Sequence, residues 1–216
     1  MIVSVVHTKG GVGKSTLAVN LAVARALAGK DVWLINGDKQ RSALQTIAQR
    51  IAADRKPAIA ASHYPDGKML KSQVDLQASK YDDVIIESGG RDNTSLRASV
   101  MVADKVIIPV LPKNYELWAI DELDEILQDA LIARPNIPIY AVLNMAKSAG
   151  SANQAALDYV ADFPYIQILK TRIGRRDLFD DCAGKGMSVL EYSRSHKAKD
   201  EMQAFVNEVF NNQKTI

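Results

Sequence analysis

Fold and chemistry are both indicated by one octapeptide, Lys9-Gly10-Gly11-Val12-Gly13-Lys14-Ser15-Thr16. It follows the apolar run 2–6 and opens a stretch with helical periodicity. In such a strand, loop and helix, glycines let backbone N–H groups close around phosphate oxygens, a lysine reaches the outer phosphates and a hydroxyl ligates Mg²⁺. The octapeptide therefore predicts a phosphate-binding loop for ATP, in which Lys14 holds phosphates and Ser15 serves the metal.

Apolar runs alternate with amphipathic stretches along the rest of the chain. Short apolar runs with helices between them indicate a parallel sheet covered on both faces. We therefore expect an α/β fold of the P-loop NTPase type, with a mainly parallel twisted sheet and helices on both faces, and we interpret residues 1–216 as one domain. Predicted strands lie at 2–6, 32–35, near Ile59, and at 84–86, 105–110 and 137–143; predicted helices lie at 13–28, 40–53, 66–79, 95–102 and 115–133.

Composition narrows the class of protein. The chain has 216 residues, 47% hydrophobic and 24% charged, with a formal net charge of +2, as expected of an ordinary globular protein. Cys182 is the only cysteine, so a disulfide framework or a cysteine metal site is excluded and a reducing cytoplasm fits. No run approaches the roughly 18 apolar residues of a membrane span, so we expect a cytoplasmic protein that does not bind the membrane.

The phosphate loop resembles that of the deviant Walker A family, which includes the ParA and MinD ATPases. Thr8 stands at the first glycine position of the general pattern, and Lys9 follows it directly. That early lysine is the mark of the family. The resemblance implies that Lys9 reaches across a homodimer interface to the phosphates of the partner's ATP, so that nucleotide binding and dimerisation become one event. It also implies ATP hydrolysis, with Lys9 and Lys14 as catalytic cations.

A second loop, Asn36-Gly37-Asp38-Lys39-Gln40, follows the second predicted strand. ParA-like proteins usually read D-x-D-P-Q here, and the resemblance gives the second Asp, here Asp38, to water activation. Asn36 stands where the first Asp would be. These residue types are also typical of ordinary turns, but the place of the loop favours function. We expect Asp38 to orient a water or a metal-bound water, and an Asp restored at position 36 to raise turnover.

The fourth predicted strand ends in Glu87-Ser88-Gly89-Gly90. An apolar strand that ends in a carboxylate is typical of the Walker B motif, which holds Mg²⁺ beside the loop hydroxyl. Relatives normally have Asp where this chain has Glu87, which could reach the metal, act through water or bond the loop. We expect Ser15, Asp38 and Glu87 to serve Mg²⁺, the two glycines to form a switch, and the departures at positions 36 and 87 to give a slow ATPase.

Asn144 closes the predicted strand 137–143, where relatives carry an adenine-contacting side chain. Its amide offers both a donor and an acceptor to the adenine edge. A turn residue after a strand is the alternative interpretation.

The segment 169–199 is basic, since its eight lysines and arginines face four acidic residues and give a net charge of +4. Such an excess is usually solvated surface, but ParA-like proteins bind nonspecific DNA through basic residues of this half. The candidate DNA contacts are Arg175, Arg176, Arg194, Lys197 and Lys199.

The resemblance implies a partition ATPase for plasmid or chromosomal DNA. ATP and Mg²⁺ would drive a homodimer onto nonspecific DNA of the nucleoid, and a ParB-like centromere-binding or adaptor protein would stimulate hydrolysis and release. The alternative is a ParA-like ATPase that positions a protein cargo or assists conjugative DNA processing.

Three rival classes lack their residues in this chain. Iron–sulfur carriers need paired cysteines, and bacterial tyrosine kinases need a tyrosine cluster, which the sequence after Tyr192 does not contain. A membrane-binding helix of the MinD branch needs cations for anionic lipid. The last predicted helix instead has an acidic and amide polar face, so its apolar residues, Met202, Phe205, Val206, Val209 and Phe210, are expected in the core.

Overall fold

The computed structural model describes residues 1–90, 94–112 and 114–211. Within them lie seven strands: β1 (Ile2–His7), β2 (Val32–Asn36), β3 (Ala60–His63), β4 (Asp83–Gly89), β5 (Lys105–Val110), β6 (Ile139–Ala146) and β7 (Ile166–Gly174). They form one sheet in the order β3-β2-β4-β1-β5-β6-β7, and the neighbouring pairs run parallel. The predicted α/β fold with a parallel sheet is confirmed.

The same residues form eight α-helices between and after the strands. These are α1 (Lys14–Leu27), α2 (Ser42–Ala52), α3 (Gly67–Gln77), α4 (Thr94–Val102), α5 (Asn114–Ala133), α6 (Ala152–Ala161), α7 (Leu178–Ala183) and α8 (Lys197–Asn211). Short 3₁₀ helices lie at Ala78–Lys80 and Val189–Glu191.

The sheet is buried on both faces because successive side chains of its strands enter different cores. In β2, Leu34 packs into a core with α1, α2, α7 and α8, whereas Trp33 and Ile35 pack against α3 on the other face. Helices α4, α5 and α6 cover the rest of that second face. This alternation explains why the strands read as continuous apolar runs.

The terminal helix packs as the sequence predicts. Met202 and Phe205 are fully buried. The Arg25 guanidinium lies over the Phe210 ring, with its Cζ 4.4 Å from the ring centroid. None of the described helices is both long and apolar enough to span a bilayer.

The C-terminal third contains elements that the sequence analysis missed, namely α6, β7 and α7. The first four residues of β7 are buried, exposed, exposed and buried in turn. The pairing of β7 with β6 also shifts register twice. A bulged strand loses strict alternation of apolar and polar residues, so the period-2 signal is absent. Part of the basic segment 169–199 is therefore an edge strand.

Candidate functional site

The predicted phosphate loop lies between the carboxyl end of β1 and the start of α1, where ligands bind in parallel sheets. Gly11 and Gly13 have φ of 75° and 93°, which L side chains rarely adopt. A Cβ at Gly13 would also lie 2.2 Å from Asn144 Nδ2. Gly13 is therefore required both by its backbone conformation and by the close approach of the loop after β6.

Lys14 lies inside this loop and is buried. Its Nζ donates to the Lys9 carbonyl oxygen at 2.8 Å and lies 3.8 Å from Asp38 Oδ2. Burial lowers the pKa of Lys14, and the nearby carboxylates of Glu87 and Asp38 act against that shift. The ammonium is thus held at the loop by groups that an anionic phosphate could replace.

Lys9 is placed differently from Lys14. Its backbone binds within the loop, through its N–H to His7 Nδ1 and its carbonyl to Lys14, but its side chain is only half-buried. Its ammonium has no hydrogen-bond or salt-bridge partner among the described residues. The structure therefore gives the loop one lysine directed inward and one whose charge stays available.

His7 is a site residue that the sequence analysis missed. It ends β1, is 1% exposed, and its Nδ1 accepts the Lys9 N–H at 3.0 Å. Burial, with the charges of Lys14 and Lys9, lowers the pKa of His7 to about 3. The imidazole is therefore neutral and supports the loop. The signal that could have identified His7 as a site residue is its position directly before the phosphate loop.

Glu87 and Ser15 lie together, as their predicted shared role requires. Ser15 Oγ donates to Glu87 Oε1 at 2.9 Å, and Asn36 Nδ2 donates to Glu87 Oε2 at 2.6 Å. Burial raises the pKa of Glu87, and the hydrogen bond from Ser15 acts against the shift. The longer carboxylate thus contacts the phosphate loop directly.

Asp38 lies on the neighbouring loop, where its Oδ1 accepts the Gln40 N–H at 3.0 Å. Ser95 of α4 fixes this loop. Its Oγ donates to the Gly37 carbonyl at 2.6 Å and lies 2.9 Å from Ser88 Oγ. The start of α4 thus joins the loop after β2 to the end of β4. Sequence reasoning gave Ser95 no role, because a serine in a helical stretch carries no signal of a distant partner.

Asn144 contacts the phosphate loop itself. Its Nδ2 donates to the Val12 carbonyl at 2.7 Å, and the side chain is buried. A cleft of about 260 Å³ opens beside it, between the loop residues Gly11 and Thr16 and the segment after β7. Asn144 therefore lies at a cleft whose position suits a nucleotide base. Its Nδ2 already donates to the phosphate loop.

The five candidate DNA contacts do not form one surface of free cations. Arg175 and Arg176 border the cleft beside Asn144, and Arg176 is paired with Glu201. Lys199 Nζ donates to the Tyr192 carbonyl at 2.7 Å. Arg175, Arg194 and Lys197 are exposed.

The chain is similar in sequence and in fold to known proteins. The chain is 26% identical over 210 residues to the maintenance of carboxysome distribution protein A of Halothiobacillus neapolitanus, covering 95% of this chain and 94% of that protein. The fold is similar to a Borrelia burgdorferi putative plasmid partition protein bound to AMPPNP, with a TM-score of 0.76, 16% identity and 97% and 98% of the two chains covered. It is also similar to the Pyrococcus horikoshii septum site-determining protein MinD with Mg-ADP, with a TM-score of 0.75, 17% identity and coverages of 97% and 95%.

A family model describes most of the chain. The CobQ/CobB/MinD/ParA nucleotide binding domain matches residues 3–189, which include the phosphate loop, the loop after β2 and the strand end at Glu87. The match extends through β7 and α7, beyond the motifs that were visible in the sequence. The chain therefore belongs to the CobQ/CobB/MinD/ParA nucleotide-binding domain family.

Proposed function

We propose that this protein is an ATPase that dimerises on binding ATP. The observation that carries the proposal is the pair of lysines in one loop: Lys14 is buried against Asp38 and the loop backbone, whereas the half-exposed Lys9 ammonium has no partner within the described residues. Lys14 would hold the phosphates of its own subunit, and Lys9 those of the other. A cation placed at the γ-phosphoryl oxygens stabilises charge in phosphoryl transfer.

Magnesium fits the residues present. Ser15 Oγ and Glu87 Oε1 are oxygen donors 2.9 Å apart, of the hard type that Mg²⁺ prefers. Asn36 Oδ1 is buried and accepts no hydrogen bond from a described residue, so it can accept one from a metal-bound water. Ser15 and Glu87 would hold the ion, which would neutralise charge on the phosphate oxygens when bound.

Each protein group then has a defined task. Backbone N–H groups of Gly10 to Gly13 would surround the phosphates, with Thr16 beside them, and Asn144 would stand at the base cleft. Asp38 would orient the attacking water, because it lies 3.8 Å from the phosphate-binding lysine on a loop fixed by Ser95.

Turnover of ATP by the Asp38→Ala variant tests the enzymatic part of the proposal. The variant should bind a fluorescent ATP analogue as the wild type does and hydrolyse ATP at least about a hundredfold more slowly, the lower end of what a positioned acid or base contributes. Lys14→Ala should instead weaken binding of the analogue itself. Equal turnover in wild type and Asp38→Ala would remove Asp38 from the reaction.

Partition of DNA is the cellular role we propose, with a ParB-like or adaptor protein stimulating hydrolysis. Arg194 and Lys197 carry the DNA proposal best, since Arg176 and Lys199 have intramolecular partners and Arg175 borders the proposed base cleft. Two such surfaces in one dimer would raise DNA affinity through effective concentration. Binding should need ATP, ignore DNA sequence, and fall with salt by about 0.9 in log–log slope for each phosphate contact.

The DNA proposal is tested by titrations at several salt concentrations. Arg194→Ala/Lys197→Ala should lower both affinity and salt slope, whereas Lys68→Ala/Lys80→Ala, which removes two exposed charges from the region of α3, should lower neither by as much. Equal losses in the two variants would show a nonspecific charge effect and would contradict the placement.

A second candidate function is the positioning of a protein cargo by the same ATP switch. It is favoured by the 26% identity, over nearly the full chain, to a protein named for carboxysome distribution. The two candidates differ in the DNA titration: a wild-type protein that dimerises with ATP but does not bind DNA would favour the cargo function.

A further inference from the structure

Asn36 and Glu87 face each other on neighbouring strands. They are directly paired in the register of β2 and β4, at the carboxyl end of both strands. Asn36 is fully buried and Glu87 is 2% exposed. Their side chains meet at 2.6 Å, from Asn36 Nδ2 to Glu87 Oε2.

The two oxygens of Glu87 are used by different elements. Oε2 accepts from Asn36 on β2, and Oε1 accepts from Ser15 on α1 at 2.9 Å. With one oxygen fixed by the amide, the other is directed at the phosphate loop. An amide can do this because it has N–H donors, whereas an ionised carboxylate has none.

We propose that Asn36 is the positioning residue for Glu87, and that this amide and carboxylate together replace the two carboxylates that ParA-like relatives carry at these places. The inference rests on the proposed function, because the oriented group is the one that would hold Mg²⁺. It explains how this chain keeps the Glu87 carboxylate in place although it has Asn at position 36 and Glu at position 87, where relatives have Asp.

The charges of the site support this pairing. Lys14 already faces the carboxylates of both Glu87 and Asp38. An Asp at position 36 would add a third carboxylate, in hydrogen-bond contact with Glu87 and fully buried, and like charges in such a site oppose each other strongly. On this inference, Asp at position 36 should lower turnover rather than raise it.

The longer side chain of Glu87, compared with Asp, is needed for its contacts with both Asn36 and Ser15. An Asp at position 87 would be shorter by one carbon–carbon bond, about 1.5 Å. Its carboxylate could not keep both the 2.6 Å contact with Asn36 and the 2.9 Å contact with Ser15 without movement of a strand or the loop. The amide and the longer acid are therefore matched to each other.

The first test measures how much Mg²⁺ is needed for half-maximal binding of mant-ATP. Asn36→Ala removes the amide without adding charge, and should raise this concentration about tenfold or more, the usual cost of losing a group that orients a metal ligand. Binding of mant-ATP in EDTA should change little. Asn20→Ala is the matched control, since Asn20 is a buried amide bonded to Ser188 and Val189 and should affect melting temperature but not the Mg²⁺ requirement.

The second test exchanges the two groups and needs no metal or nucleotide. Asn36→Asp should lower the melting temperature by several degrees, because it brings two carboxylates together. Asn36→Asp/Glu87→Gln again has one amide and one carboxylate, and should recover most of the loss.

Different results would overturn the positioning role of Asn36 and the proposed function. An Asn36→Ala variant with the wild-type Mg²⁺ requirement, or a double variant no more stable than Asn36→Asp, would overturn the positioning role. A wild-type protein that binds no mant-ATP with Mg²⁺ would instead overturn the proposed function on which the inference rests.

Discussion

At the scale of single residues, the site is organised by contacts that bring separate parts of the chain together. The sequence allowed the phosphate loop to be predicted because its residues are consecutive, and Asp38 and Glu87 could be proposed because each follows a strand. The contact of Asn144 with the loop joins positions 132 residues apart. Such a contact depends on strand order, which local patterns do not specify.

The close packing of Gly89 on Lys14 gives a residue-scale prediction. A Cβ at Gly89 would lie 2.4 Å from Lys14 Cε and 2.5 Å from the His7 carbonyl, so the lysine would be displaced. Gly89→Ala should therefore weaken nucleotide binding by about tenfold, or 1.4 kcal/mol. Gly184→Ala is the control, because its Cβ would meet only ordinary contacts from 3.5 Å outward. The comparison is made by titration with a fluorescent nucleotide; equal affinities for both variants would argue against the contact.

His7 gives a prediction for pH. Its pKa is about 3 in the folded protein and about 6.5 when unfolded, so the unfolded chain binds the extra proton between these values. Stability from the neutral imidazole is therefore complete above pH 6.5 and declines as pH falls, by up to about 1.4 kcal/mol per pH unit. Denaturant unfolding between pH 7.5 and 5 should show this decline in wild type and in His196→Gln, and a smaller one in His7→Gln. Parallel curves for all three proteins would refute it.

At the scale of secondary-structure elements, sequence patterns succeeded where the sheet is regular. The strands β1, β2, β4 and β5 are continuous apolar runs because both faces are covered. Strand β7 lies at the sheet edge, and its Lys170 and Thr171 N–H groups donate to Glu208 of α8. Its register shifts and exposed residues remove the pattern that would identify a strand. Helix α8 also supplies Glu201, which pairs with Arg176, so the basic residues counted in the sequence are not all free.

A buried ion pair joins α2 to the segment before α8. The Arg50 guanidinium is 2% exposed and binds both Glu191 oxygens at 2.8–3.0 Å, while Gly186 accepts a further hydrogen bond from it. The pair thus anchors the C-terminal half of α2, the helix that follows the Asp38 loop.

Removal of one partner from this pair should be costly. Glu191→Gln leaves the buried Arg50 charge uncompensated and should lower the free energy of unfolding by about 3 kcal/mol. Asp75→Asn breaks the exposed Lys71–Asp75 pair and should change it by less than about 1 kcal/mol. Chemical denaturation of the three proteins measures both values, and a loss in Glu191→Gln no larger than in Asp75→Asn would contradict the role of the pair.

At the scale of the whole molecule, the fold gathers the ends of β1, β2, β4 and β6 around one phosphate loop. One of its two lysines is buried among these elements, and the ammonium of the other has no partner among the described residues. Fold and family follow from the loop and the alternation of elements. The cargo does not, because the proposed DNA contacts, such as Arg194 and Lys197, are exposed charges that the fold does not require.

Light scattering of the protein with Mg²⁺ and a nonhydrolysable ATP analogue tests the central claim, that ATP binding and dimerisation are one event. The wild type should be a monomer without nucleotide and have a doubled mass with the analogue, and Lys9→Ala should bind the analogue but remain a monomer. A wild-type protein that stays monomeric with saturating analogue, or a Lys9→Ala variant that dimerises as well as the wild type, would contradict it.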